Sequence, residues 1–132
     1  MTSPSEPAVP RAMRILVVDD NEELLFSLCR TFKGAGFTVV SAPDAESALQ
    51  KLSSQQPDVV LTDLRLPGQS GLDLLRHVRQ TLPHVPVLII TAYGDEDSCE
   101  AAHQLGAYAM LTKPVFRQEL LSAVNRALGR AA

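Results

Sequence analysis

The chain has 132 residues, a formal net charge of -3, 45% hydrophobic and 20% charged residues, the make-up of one globular domain with a core of its own. No cluster of Lys and Arg is present to grip a phosphate backbone, which argues against direct nucleic-acid binding. No apolar run approaches the ~20 residues that span a bilayer, the N-terminus lacks an apolar signal core, and Cys29 and Cys99 fall in no metal or redox spacing, so the chain reads as cytoplasmic with free thiols.

Residues 1–12 carry Pro4, Pro7 and Pro10 among small polar residues and read as a disordered leader. A domain then spans 13–129, with 130–132 as a tail. Ile15 to Val18 is a buried strand ending in Asp19-Asp20. A helix follows with Leu24, Leu25, Leu28 and Phe32 on one face, stopped by Gly34 and Gly36. Phe37 to Val40 is the second strand. Asp44 caps the next helix, whose Ala45, Ala48, Leu49 and Leu52 form an apolar stripe.

Pro57 introduces the run Val59-Val60-Leu61-Thr62-Asp63. Its lack of alternation marks a strand covered on both faces, and Pro67-Gly68 turns the chain away. Asp58 reads as a strand-start residue. Ser70 with Asp73 forms a capping-box pattern ahead of Leu74, Leu75, Val78 and Leu82. Val85 to Ile90 is the fourth strand, opened by Pro86 and ending in Thr91. A helix from about Asp95 to Leu105, with the weakest apolar stripe, stops at Gly106. Tyr108 to Thr112 is the fifth strand, ending in Lys113-Pro114, and Leu120, Leu121, Val124 and Leu128 face the sheet from the last helix. Strands alternating with helices give an α/β fold: a doubly wound, five-stranded parallel sheet in the order 2-1-3-4-5, flavodoxin-like, with five helices.

In such a sheet the carboxyl ends of the strands share one edge. Asp19 with Asp20, Asp63, Thr91 and Lys113 therefore converge. Two carboxylates ~4 Å apart repel by about 4 kcal/mol at an effective dielectric of 20. A cation must offset that repulsion, and all-oxygen ligands suit Mg²⁺. The bland alternative, Asp20 as a helix cap, leaves Asp63, Thr91 and Lys113 unexplained. Glu22 and Glu23 read as first-turn residues favoured by the helix dipole, and His77, His84 and His103 as surface residues.

This ordered set, completed by Gly71, Ala92 and Gly106-Ala107, resembles the response regulator receiver domain of two-component signalling, over about Met13 to Gly129. The resemblance implies that Asp63 accepts a phosphoryl group from a phosphohistidine on a histidine kinase or histidine phosphotransfer protein. It implies Mg²⁺ held by Asp19, Asp20, Asp63 and the backbone carbonyl of Arg65, with Lys113 and Thr91 on the phosphoryl oxygens and a cis Lys113-Pro114 peptide. It further implies self-phosphorylation and autodephosphorylation in place of conventional enzyme turnover. The surface of the fourth helix, fifth strand and fifth helix would switch toward a downstream effector or an appended output domain, and the same surface offers a homodimer interface.

Two departures are noted. Similar proteins carry Tyr or Phe three residues before the lysine, where this chain has Met110, with Tyr108 one pleat earlier. Arg65 and Tyr93 stand at positions that in the family flank the phosphoryl group and influence its lifetime. The competing readings are a phosphorylation-independent interaction module of the same fold, an FMN carrier and a phosphohydrolase. Asp19-Asp20 disfavours an FMN phosphate, and no cap or substrate pocket supports a hydrolase.

Overall fold

The computed structural model describes residues 12–92 and 96–130. The leader through residue 11, Tyr93 and the last two residues lie outside that set. Five strands and five helices alternate: β1 (Arg14–Val18), α1 (Glu22–Gly34), β2 (Thr38–Ala42), α2 (Ala45–Gln55), β3 (Val59–Asp63), α3 (Gly71–Thr81), β4 (Val87–Thr91), α4 (Glu96–Gln104), β5 (Ala109–Thr112) and α5 (Arg117–Ala127). All pairings are parallel and the order is β2-β1-β3-β4-β5, as the alternation requires.

The two faces of the sheet carry separate cores. Leu16, Val18, Val60 and Ile89 pack with Leu52, Leu74, Leu75 and Val78 beneath α2 and α3. Ile15, Val17, Val59, Leu61 and Leu88 pack with Leu28, Phe32, Leu120 and Val124 beneath α1 and α5. Successive strand residues point to opposite faces, so one apolar run feeds both cores. Every residue of β3 and β4 is buried.

Local chemistry sets the ends of the elements. Asp44 Oδ1 accepts from Ser47 N at 2.7 Å, and Ser70 with Asp73 forms the reciprocal capping box. α1 runs through Gly34 and ends at Ala35, leaving Gly36 with φ +94° to make the turn. β2 starts one residue later than the sequence suggests and runs on to Ala42. Phe37 is buried edge-to-face against Phe32, with centroids 5.4 Å apart, while Ser41 and Ala42 pair with Val17 and Val18. β4 begins at Val87 because Pro86 has no N–H for the ladder, although its carbonyl accepts from Val60 N at 3.0 Å. α4 begins at Glu96, Asp95 lying outside the described residues. Among the described residues no helix is long and apolar enough to cross a membrane.

Candidate phosphoryl and metal site

The parallel register brings the strand ends to one edge. Val18 pairs with Thr62, placing Asp19 and Asp63 one step beyond on adjacent strands, and Thr91 pairs with Thr112 just before Lys113. Asp19, Asp63 and Thr91 are buried, at 1%, 8% and 2% exposure, while Asp20 is exposed. Lys113 Nζ donates to Asp63 Oδ2 at 2.9 Å, and Arg65 N donates to Asp63 Oδ1 at 3.2 Å. Both oxygens of the Asp63 carboxylate are therefore positioned by donors on separate segments.

The loop after β1 is tied down at both ends. Asn21 N donates to Asp19 Oδ1 at 2.9 Å, and Asn21 Oδ1 accepts from Leu24 N at 3.0 Å as the cap of α1. Asn21 therefore fills the capping role weighed for Asp20, and the acidic pair is released from it. The loop after β3 closes tightly: Gly71 N donates to Leu64 O at 2.7 Å, and a Cβ on Gly71 would lie 2.3 Å from the Asp63 carbonyl oxygen. Only glycine leaves the β3 terminus where it is.

Asp19, Asp20 and Asp63 can each offer a carboxylate oxygen within 4.8 Å of the others. Asp19 Oδ2 is buried without a hydrogen-bond partner among the described residues. A buried, acceptor-only oxygen lacking a donor fits a hard divalent cation. Burial raises the Asp19 carboxyl above its ordinary 3.8; the Asn21 amide pulls it back, and the Asp63 charge adds to the rise. Burial also works against the Lys113 charge. The hydrogen bond and charge of Asp63, backed by Asp19 and Asp20, outweigh it and hold the ammonium above its ordinary 10.5. Lys113 thus stays protonated throughout the neutral range.

The family model described as the response regulator receiver domain matches residues 15–125. The chain belongs to the response regulator receiver domain family. It is 40% identical over 114 residues to the DNA-binding transcriptional regulator NtrC of Escherichia coli (strain K12), covering 86% of this chain and 24% of that protein. This receiver domain thus spans about a quarter of the length of the curated relatives it matches. The crystal structure of the signal receiver domain of an HD domain-containing protein from Pseudomonas fluorescens Pf-5 superposes with a TM-score of 0.88 at 33% identity, over 95% of this chain and 93% of that one. A response regulator receiver domain protein from Clostridium thermocellum gives 0.85 at 34% identity, over 89% and 94%.

The Thr91 hydroxyl donates to Ala92 O at 3.3 Å, turned toward its own loop. The Lys113-Pro114 peptide is cis. Arg65 is exposed, and Tyr93 lies outside the described residues. Met110 is half-buried against the core that includes Ile89, and it lines a shallow groove of about 640 Å³ with Thr112, Pro114 and Phe116. Tyr108 is 50% exposed and does not take the place of a buried ring. Asn21 is the site residue that strand-end reasoning passed over, although an Asn three residues before the first apolar helical position was its signal.

Proposed function

We propose that residues 13–129 form the phosphoacceptor of a two-component phosphorelay in the cytoplasm, with Asp63 accepting the phosphoryl group of a phosphohistidine. The donor is a histidine kinase or a histidine phosphotransfer protein. The observation that carries this reading is the Asp63 carboxylate, held at 2.9 Å by Lys113 beside an Asp19 oxygen that has no hydrogen-bond partner among the described residues. Asp19, Asp20, Asp63 and the Arg65 carbonyl would hold Mg²⁺, which when bound neutralises charge shared between the carboxylates and the phosphoryl oxygens.

An oxygen of Asp63 attacks phosphorus in line. The P–N bond breaks, its electron pair returns to the imidazole of the donor, and an acyl phosphate forms on Asp63. Lys113, protonated beforehand, moves from the carboxylate to a phosphoryl oxygen as charge builds there. Water later cleaves the acyl phosphate to inorganic phosphate and free carboxylate, with Arg65 and Tyr93 influencing its lifetime.

Phosphorylation adds up to about two negative charges. The Thr91 hydroxyl, now spent on Ala92 O, rotates toward them and the surface of α4, β5 and α5 rearranges for a downstream effector or an appended output domain. Driving a two-state equilibrium from 1:99 to 99:1 takes about 5.5 kcal/mol. A charge-assisted hydrogen bond contributes about 1.5–3 kcal/mol, so effector binding or dimerisation supplies the remainder.

Incubation with acetyl phosphate and Mg²⁺, read by intact mass and peptide mapping, tests the reading. It predicts one covalent phosphate on Asp63, absent from Asp63→Asn. A phosphate retained in that variant, or none on the wild type, overturns it.

A further inference from the structure

Helix α4 is anchored in the core at one end, its earlier turns reaching only half-burial at Ser98 and Cys99. Ala102 is its buried residue, and the core beneath it takes in Ala102, Leu105 and Ala107 but no described residue from Glu96 to Glu100. The same end carries the turn into β5. Gly106 has φ +96°, its N–H donates to His103 O at 3.0 Å, Ala107 N donates to Ala102 O at 3.0 Å, and Tyr108 N donates to Val87 O at 2.8 Å.

Arg79 of α3 lies against this turn. A Cβ on Gly106 would stand 3.0 Å from Arg79 Cδ and 3.6 Å from Cγ, so the aliphatic stem covers the glycine. Beyond the stem, Nη2 donates to the carbonyl of Val85, and Nε is buried. One side chain thereby joins three parts: α3 supplies it, the segment leading into β4 accepts its hydrogen bond, and the turn that ends α4 rests on it. The guanidinium is planar and pre-organised, so the joint is a fixed one.

The other end of α4 is the one next to the site, since Thr91 closes β4 and α4 begins at Glu96. We propose that Arg79 is a positioning residue that pins the C-terminal turn of α4, so that the helix pivots there and phosphorylation displaces its Thr91 end. The pivot rests on the phosphoacceptor reading above. A helix of nine residues is a lever of about 13 Å, and fixing its far end turns a small push near Thr91 into a directed tilt. Without the pin, the same push spends itself on displacing the whole helix.

Hydrogen exchange on the whole chain, with and without beryllofluoride and Mg²⁺, tests the pivot. In the wild type the additive changes exchange in the first turns of α4 and leaves the amides of Leu105 to Tyr108 as they were. Arg79→Met keeps the stem and loses the guanidinium; those four amides then exchange about tenfold faster in both states, and the response spreads along all of α4. Arg79→Lys, which keeps a donor for Val85 O, restores most of the protection. The amides of β1 and β3 report that each variant is folded, and acetyl phosphate labels Asp63 in each. Arg79→Leu, which also loses the guanidinium, loosens the same amides should Arg79→Met fail to fold.

Unchanged exchange at Leu105 to Tyr108 in a folded Arg79→Met or Arg79→Leu overturns the pivot. So does loosening that Arg79→Lys fails to reverse, which marks Arg79 as packing alone. A wild type that responds nowhere to beryllofluoride overturns the phosphoacceptor reading, and the pivot with it.

Discussion

Lys113 Nζ lies 2.9 Å from Asp63 Oδ2 across a separation of fifty residues, placing an ammonium against a cluster of three carboxylates. Its side chain is about a third exposed, so the pair is anchored at Asp63 and open to solvent at the lysine. That asymmetry suits a charge that changes partners. Lys113→Ala is expected to slow acetyl phosphate labelling of Asp63 about 100-fold, the typical loss when one transition-state donor is removed. It also leaves the carboxylates less neutralised, so Mg²⁺ affinity rises. Labelling kinetics and a metal titration check the two opposite effects, and equal losses in both would disprove this role.

Asp19 carries the electrostatic burden of the metal-free domain. Burial first, and the Asp63 and Asp20 charges after it, raise its carboxyl above 3.8, while the Asn21 amide opposes them. The folded state therefore binds the proton more tightly than the unfolded state. Asp19 contributes stability at low pH that is lost as pH rises from about 3.8 through the raised folded value. Urea unfolding in chelator should show this decline, and Asp19→Asn should flatten it. Added Mg²⁺ at 100 times its Kd should stabilise the wild type by about 2.7 kcal/mol at neutral pH and Asp19→Asn by much less.

Strand-end convergence was readable because parallel topology leaves little choice. Once Val59 to Leu61 is a strand covered on both faces, Asp63 must lie at the edge shared with Asp19 and Lys113. Features made by single backbone torsions or by long side chains were not readable. α2 stops at Gln56, a non-glycine with φ 48°, where no glycine signals the end. β2 begins after Phe37 because that ring is claimed by Phe32, a tertiary contact invisible to local pattern. Arg79 reads as an ordinary polar position on α3, and only the fold carries its stem under Gly106.

Gly71 is a steric requirement. A Cβ there would stand 2.3 Å from the Asp63 carbonyl oxygen and 3.0 Å from Leu64 Cα, both backbone atoms that cannot rotate away. Gly71→Ala should destabilise the domain by about 1–3 kcal/mol, the usual range for overpacking, and displace Asp63 enough to reduce labelling. Gly68→Ala is the control. Its φ is +80° with open space around it, so its loss is strain of about 1–2 kcal/mol with little effect on labelling beyond that of stability. Urea midpoints and labelling rates separate the two.

The capping box of α3 gives a pH dependence of opposite sign to that of Asp19. The Ser70 amide, donating to Asp73 Oδ2 at 3.1 Å, is the largest cause holding the Asp73 carboxyl below its ordinary 3.8, and the Ser70 hydroxyl and Arg76 add to it. A depressed carboxylate contributes stability above its unfolded value that is lost as pH falls through the folded one. Asp73→Asn should therefore matter most above about pH 3.8 and least once the pH falls below the depressed folded value. Ser70→Ala removes the two hydrogen bonds of the hydroxyl, leaves the Ser70 amide on Asp73, and should cost about 1 kcal/mol at neutral pH. Chemical denaturation at several pH values checks both.

Met110 stands where the family resemblance implies a ring, and it borders a groove. The side chain is half-buried against the core that holds Ile89, while Thr112, Pro114 and Phe116 surround about 640 Å³ of open space next to it. A flexible thioether fills such a space without one preferred orientation, so under the proposed switch the movement of Thr91 would meet a soft neighbour where a rigid ring would transmit it. Met110→Tyr should strengthen the coupling, raising the ratio of effector affinity with and without phosphorylation by about fivefold, the lower end of typical allosteric coupling. Labelling of Asp63 itself should not change, because Met110 does not touch the acidic cluster. The measurement is effector binding, or self-association where no effector is in hand, with and without beryllofluoride. A ratio unchanged by Met110→Tyr would show that the switch does not run through this position.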